Sequence, residues 1–272
     1  MRKIIQSVIT SNDANKDATN VIHSIKNAGF DGVFLQWYNK DLPLSQQGQF
    51  DLCKKLGLSI EFVHLGYKGI NNIWLDGAEG DLLVDYYKKD LDACHKNGIN
   101  LVVMHVTSKQ IAPEPSEVGV FRLQKIADYA KSLGIKIAFE NTKIKYYLEY
   151  IFDRITNDNI GICFDIGHCH CHFEGDFDFE KFKGKILAVH FHDNHGKIED
   201  ESMRDEHLLP FDGTIDWEYY AKKLDECGYD GSVTLESHNA HYKNLSLDEF
   251  YKLALSKAKK LRDIFGRCAY EK

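Results

Sequence analysis

The 272-residue chain has no Pro/Gly/Ser-rich linker and no low-complexity stretch. Nothing in its composition divides it, so one domain over 1–272 is expected. No apolar run approaches the roughly 20 residues of a membrane span. The opening "MRKIIQSVIT" lacks both the long apolar core and the small-residue cleavage site of a secretory signal, and reads as a first strand. Seven cysteines make an odd set with no repeated framework spacing, which argues for reduced thiols and a cytoplasmic enzyme. Positive charge is also in short supply. A formal net charge of −7 lowers the expectation of a nucleic-acid or acidic-membrane partner. The lysine tracts "KIK" at 143–145, "KFKGK" at 181–185 and "KAKKLR" at 257–262 read as solvated helical faces rather than a basic groove.

What is present is a rhythm of short apolar runs alternating with longer amphipathic ones, eight of each, as a parallel sheet with crossover helices requires. Strands are predicted near 3–10, 31–38, 58–65, 99–106, 135–141, 160–166, 186–192 and 231–237. Helices are predicted near 14–28, 45–56, 81–97, 117–132, 144–155, 177–183, 216–227 and 247–265. Glycine stops at Gly29, Gly57, Gly98, Gly134 and Gly228 separate several helices from the next strand. At this length the pattern predicts a single (β/α)8 barrel. The long βα segments 66–80 and 193–215 are candidate lids on its C-terminal face.

Four of the apolar runs end on a metal-type side chain: "KIAFE" at Glu140, "GICFD" at Asp165, "ILAVH" at His190 and "SVTLE" at Glu236. Two residues before each stands a small or modest side chain, Ala138, Cys163, Ala188 or Thr234, while the intervening positions are bulky and apolar. Strand side chains alternate with a period of two, so the shared parity aims all four polar ends into one lumen at the same end of the barrel. A lone Glu or His at a strand end is more often a hydrogen-bonded structural group. Three carboxylates and an imidazole gathered together call for a cation, because burying them without one is costly.

More histidines cluster at the same mouth. His64 closes "IEFVH", His105 closes "LVVMH", His168 follows Asp165 in "FDIGH", His192 shares a face with His190 in "HFHDN", and "RDEH" supplies Asp205 and His207. His64, His105, Asp205 and His207 are candidates as further ligands or as substrate contacts. The donors suit Zn²⁺, Mn²⁺, Co²⁺ and related ions, and the lack of a Cys₄ or Cys₂His₂ spacing argues for an open catalytic site. In the tract "HCHCH" at 168–172, Cys169 and Cys171 read as packing.

Taken together these residues resemble the xylose isomerase-like TIM-barrel superfamily, which joins sugar isomerases and epimerases with the endonuclease IV family. The resemblance spans essentially the whole chain, through Glu140 in "FEN", "FDIGH", "HFHDN", "RDEH" and Glu236 in "LES". The sugar-active branch implies one divalent ion, commonly Mn²⁺, Mg²⁺ or Co²⁺, on Glu140, Asp165, His190 and Glu236, with His168 touching substrate. The nuclease branch implies three zinc ions on those residues together with His64, His105, His168, Asp205 and His207. "HVTS" at 105–108, "DIGH" and "GTIDW" at 213–217 lean toward the sugar phosphate isomerase/epimerase group, whereas "PFDG" departs from that group's glycine-rich "PGxG".

The resemblance implies isomerisation or epimerisation of a small ketose through an enediolate, with Glu140 and Glu236 as base and acid. His168 and Arg204 would orient hydroxyls or an anionic group, and Trp37 would either stack on a sugar face or pack in the core. A sugar or inosose dehydratase using the same enolate, an endonuclease IV-like phosphodiesterase and a non-catalytic binder are the alternatives. The expected partner is a small-molecule sugar, with no nucleic acid and no membrane, and a homo-oligomer is left open.

Overall fold

The computed structural model describes residues 2–8, 17–37, 44–108, 111–173 and 177–268. Eight parallel strands follow one another around a barrel in the order β7-β6-β5-β4-β3-β2-β1-β8. They are β1 (Ile4–Val8), β2 (Gly32–Gln36), β3 (Ser59–His64), β4 (Leu101–His105), β5 (Lys136–Glu140), β6 (Ile160–Asp165), β7 (Ile186–His190) and β8 (Val233–Leu235). The seam between β7 and β8 is closed by a parallel bridge, in which Phe191 N–H donates to Thr234 O and Glu236 N–H donates to Phe191 O. The helices are α1 (Ala18–Ala28), α2 (Gln46–Leu56), α3 (Ala78–Lys96), α4 (Glu117–Ser132), α5 (Tyr146–Phe152), α6 (Ile166–His172), α7 (Trp217–Glu226) and α8 (Leu247–Cys268). This is the (β/α)8 barrel that the alternation predicts. The ends of the predicted first strand and of the predicted second strand, and the start of the predicted first helix, lie outside the described residues. Among the described residues no helix is long and apolar enough to cross a membrane.

Local chemistry sets the boundaries. Asp17, Ser45, Ser116 and Asp216 cap α1, α2, α4 and α7 by accepting a first-turn N–H. Gly29 ends α1 at φ 98°, a left-handed conformation that costs a residue with Cβ and not a glycine, and its N–H returns to the helix carbonyls. The other four predicted stops adopt positive φ as well.

The sixth helix corrects the sequence reading, which put it at 177–183. It begins at once after β6, because the Asp165 carboxylate accepts the His168 N–H at 2.7 Å and nucleates the turn. The stretch 179–184 forms only turns. Phe177, Phe179 and Phe182 are buried as an aromatic cluster, the first two against Phe164 and Phe182 against Phe177. The "HCHCH" tract is therefore helical, with Cys169 and Cys171 buried in packing.

Two apolar layers result. The larger lies between strands and helices; the smaller fills the barrel with Ile5, Phe34, Phe62, Val103, Ala138, Cys163 and Ala188. Large rings on β2 and β3 meet small side chains on β5, β6 and β7, which is how a narrow barrel is filled without voids. Phe34 and Phe62 stack at 4.6 Å, and the His190 imidazole lies flat on Phe34 at 5.2 Å. The aromatic plug thus forms the floor of the polar mouth.

Candidate metal centre

Strand register brings the polar ends level. His105 pairs with Glu140 across β4–β5, Asp165 with His190 across β6–β7, and Gln36 with His64 across β2–β3. Glu140, Asp165, His190 and Glu236 converge as parity predicts, and all four are at least 97% buried. His190 Nδ1 lies 2.9 Å from Glu236 Oε2, 3.4 Å from Asp165 Oδ2 and 3.7 Å from Glu140 Oε2. Neither nitrogen of that ring has a partner at hydrogen-bonding angles.

Three carboxylates and one nitrogen spaced in this way match the edge of about 3 Å expected between neighbouring ligands of an octahedral ion with bonds near 2.1 Å. Among the described residues Glu140 and Asp165 pair with no lysine or arginine. The donor set fits a divalent cation; ligand atoms within 4.8 Å of one another group these residues two at a time with a further histidine, Glu140 and His190 with His64, Glu140 and Asp165 with His168, and Asp165 and Glu236 with His192.

Further groups surround this core. His64 Nε2 is 2.8 Å and His105 Nε2 3.4 Å from Glu140 Oε2, and Tyr67 stacks on His105 at 4.1 Å. On the other side His168 Nε2 lies 3.2 Å and His207 Nε2 3.3 Å from Asp205. His207 holds a left-handed backbone (φ 51°), uncommon for a residue with a side chain and typical of functional loops. All nine candidate ligand residues thus meet at one mouth.

Burial alone would raise the carboxylate pKa values and lower those of the imidazoles; mutual pairing outweighs it at Glu140, Asp205, His168, His190 and His207, whereas burial keeps His105 below the ordinary histidine value. The imidazoles of His105 and His190 hold the Glu140 carboxyl well below its usual range against that burial. His168 and His190 are pushed well above the ordinary histidine value, opposing burial, by Asp165 and Asp205 for the first and by Cys163, Glu236 and Glu140 for the second. His207 rises to about 10, burial being overcome by Asp205.

Two predicted contacts sit elsewhere. Trp37 is 1% exposed and packs edge-on against Phe50 in the outer core, because odd positions of β2 face the helices. Arg204 donates to Ile198 O at 2.6 Å and lies 3.4 Å from Glu201, turned toward its own loop. Neither lines the cavity.

Several residues had been given no role, His192 among them although its face was read correctly. His192 Nε2 lies 3.0 and 3.2 Å from the two oxygens of Asp165, and its ring stacks on His207 at 4.0 Å. Its seat exists because residue 167 is glycine, since a Cβ there would collide with the imidazole. Gln36 donates to Glu236 Oε1 at 2.5 Å. Asn141 clamps the Asp165 backbone with both amide groups, accepting its N–H at 2.7 Å and donating to its carbonyl at 2.8 Å. Period-two parity marks both His192 and Gln36 as inward.

Above the centre opens a cavity of about 690 Å³, lined by Glu140, Glu236, His168 and Asp205 below and by Tyr67, Lys68, Thr107 and Lys143 nearer the rim. That volume falls in the range of small-molecule sites, roughly 300–1,000 Å³.

An eight-stranded parallel barrel with a buried carboxylate–imidazole centre under an open cavity defines a (β/α)8 protein built for a small ligand at its C-terminal mouth. Residues 22–261 match the family model of the xylose isomerase-like TIM barrel, and the chain belongs to that family. Among curated proteins it is 27% identical to the inosose isomerase of Bacillus licheniformis over 185 residues, 63% of this chain and 66% of that protein. It is also 27% identical over 197 residues to the uncharacterized protein y4fM of Sinorhizobium fredii, covering 66% of this chain and 60% of that one. The chain thus spans between 60% and 66% of the length of these relatives. In fold it resembles a D-tagatose 3-epimerase-like protein with a TM-score of 0.75 at 22% identity over 99% of both chains. It likewise resembles the D-allulose 3-epimerase of a Methylomonas species in complex with D-allulose, with a TM-score of 0.73 at 17% identity over 95% and 96% of the two chains.

Proposed function

We propose that the chain is a divalent-metal-dependent isomerase or epimerase acting on a small sugar or sugar derivative. One observation carries this reading: His190 Nδ1 is ringed by carboxylates of Glu140, Asp165 and Glu236 under a cavity of small-molecule size. The names of the proteins it resembles, inosose isomerase and D-allulose 3-epimerase, point the same way.

Glu140, Asp165, His190 and Glu236 would hold the ion, with Mn²⁺, Co²⁺, Mg²⁺ and Zn²⁺ all suited to such donors. Bound there, the ion supplies Lewis acidity that stabilises negative charge on a substrate oxygen. Glu140 ends β5 and Glu236 follows β8, three strands apart around the barrel. A carbon seated between them meets one carboxylate on each face. One glutamate removes a proton as base, the other returns one as acid, and the substrate passes through an enediolate. Gln36 and His64 fix the two carboxylates from behind, so the oxygen each presents is set before substrate arrives. His168 and Tyr67, at the edge of the cavity, orient hydroxyl groups.

The test is exchange of substrate C–H hydrogen with deuterated solvent across a panel of ketoses and inososes, with metal content measured alongside. Glu140→Gln and Glu236→Gln should each lower exchange by about 10²–10⁴-fold. Undiminished exchange in both variants would sink the proposal. A second reading, a multinuclear phosphodiesterase, is favoured by the gathering of His64 and His105 on Glu140 and of His168 and His207 on Asp205. About three zinc ions per purified chain, rather than about one Mn, Co or Mg, would shift the assignment to it.

A further inference from the structure

The mouth has a second tier above the ligands. His105 pairs with Glu140 across β4–β5, and two residues beyond each stands a threonine, Thr107 and Thr142, which strand parity returns to the same inward face. Their Oγ1 atoms lie 2.8 Å apart and share a hydrogen bond. Both threonines line the cavity at only 1% and 4% exposure, so they are set into its wall beside Glu140. A buried threonine commonly uses its proton on the backbone, as Thr234 does by donating to Val189 O. Thr107 and Thr142 bond each other and, among the described residues, no third group. Since each hydroxyl carries one proton and two lone pairs, the bonded pair keeps one proton to donate and lone pairs to accept with.

That capacity is the complement of an alcohol, which also donates once and accepts. A carboxylate has no proton for the lone pairs, and an alkyl carbon answers neither partner. Resting on the isomerase reading above, we propose that the Thr107–Thr142 pair selects the substrate by requiring a free hydroxyl on the carbon adjoining the one that reacts between Glu140 and Glu236. The substrate hydroxyl donates to one Oγ1 and accepts from the other, which fixes where the carbon chain crosses the β4–β5 wall. The pair moves no proton in the reaction and acts on specificity alone. An analogue lacking the hydroxyl presses a methylene against a buried donor and acceptor, and that unanswered polarity is what rejects it.

Two measurements test this on the full chain, with C3 of a ketose as the reacting carbon and C4 as its neighbour. Calorimetric titration with D-fructose, D-allulose and the 4-deoxy analogue of each reads the hydroxyl seat without any turnover. Wild type should bind at least one of the two ketoses about tenfold or more tightly than its deoxy analogue, a comparison that needs no variant. In Thr107→Val/Thr142→Val the side chains keep their branching, and removing both hydroxyls together orphans neither, so the fold should tolerate the change. That variant should bind the ketose and its deoxy analogue about equally, whereas loss of a merely structural contact would weaken both and leave their ratio unchanged. No preference in wild type, a preference retained in the variant, or no binding of any of the four sugars overturns the proposal. The second measurement compares kcat/KM for hydrogen exchange within the same pair. A ratio of about tenfold or more that collapses in the double variant supports the seat, and a ratio equal in the two proteins counts against it. If no sugar exchanges hydrogen at all, the isomerase reading fails while the titration still decides the hydroxyl seat.

Discussion

The polar mouth has two parts of different construction. Glu140, Asp165 and His190 are the last residues of β5, β6 and β7, with Glu236 directly after β8, so neighbouring strands hold them on both sides. Asp205, His207 and Arg204 sit on the long segment after β7, whose course depends on a few polar contacts. Chief among these is the buried Asp193 carboxylate, which accepts from the N–H groups of Asn194, Phe211 and Ile215 and from the Trp217 indole. Strand-borne groups inherit their geometry from the sheet, and loop-borne groups need a private scaffold. The first part suits chemistry that tolerates little displacement, and the second suits substrate selection and closure.

Damage to the floor of the strand-borne part should have the largest effect. Phe62 is 1% exposed and stacks with both Phe34 and His190. Phe62→Ala should cost about 3–5 kcal/mol of stability through lost burial and the cavity left behind. Urea unfolding monitored by circular dichroism reads it. A cost under about 1 kcal/mol would mean that the plug does not support the site.

Parity made the strand-borne half legible. Ala138, Cys163 and Ala188 fill the lumen as their spacing indicates, and the polar groups two residues on follow them upward. The same rule places Gln36 inward after Phe34 and turns Trp37 outward, so the offer of Trp37 as a sugar platform ran against evidence already in the sequence. Sequence reasoning lost its footing where no period operates. The sixth helix was misplaced because a single side-chain cap at Asp165 outweighs the apolar spacing of 177–182. Arg204 could not be oriented because its partners, Ile198 O and Glu201, are chosen by the turn and not by a repeat.

His192 joins the two parts, reaching the strand-borne Asp165 and stacking on the loop-borne His207. Residues supporting metal ligands in this way are typically worth about 10–100-fold in metal affinity or activity. His192→Ala should therefore weaken metal binding by about that factor, measured by competition with a chelating dye. No change would separate the two parts energetically.

Acidity offers a subtler probe of the same junction. In the ion-free protein His207 titrates near 10 and His168 and His190 well above 6.5, so each adds stability that is complete below the unfolded value of about 6.5 and is lost as pH rises through its folded value. Glu140 and Asp205, held low, act oppositely, stabilising above about 4 and failing as pH falls further. An ion needs neutral imidazoles, so its uptake must expel protons, and its affinity rises with pH by up to about tenfold per unit for each proton released. The melting temperature gained on adding Mn²⁺ should grow between pH 6.5 and 9, and proton release into weak buffer should accompany uptake. A gain independent of pH would show that the imidazoles do not compete with the ion.

Arg204 supplies the smallest expected effect and the sharpest contrast. A cation beside Asp205 in sequence could serve the substrate only if its guanidinium entered the cavity. It instead donates through Nε to Ile198 O, three residues before the short 3-10 turn at Glu201–Met203, and its Nη1 lies near Glu201 at the surface. An exposed pair of this kind contributes about 0–1 kcal/mol. Arg204→Gln should therefore lower kcat/KM by no more than about fivefold, equally for neutral and charged sugars. A loss near a hundredfold, or one confined to an anionic substrate, would show that the loop turns this side chain inward when substrate binds, and the division between strand-borne chemistry and loop-borne support would have to be redrawn at residue 204.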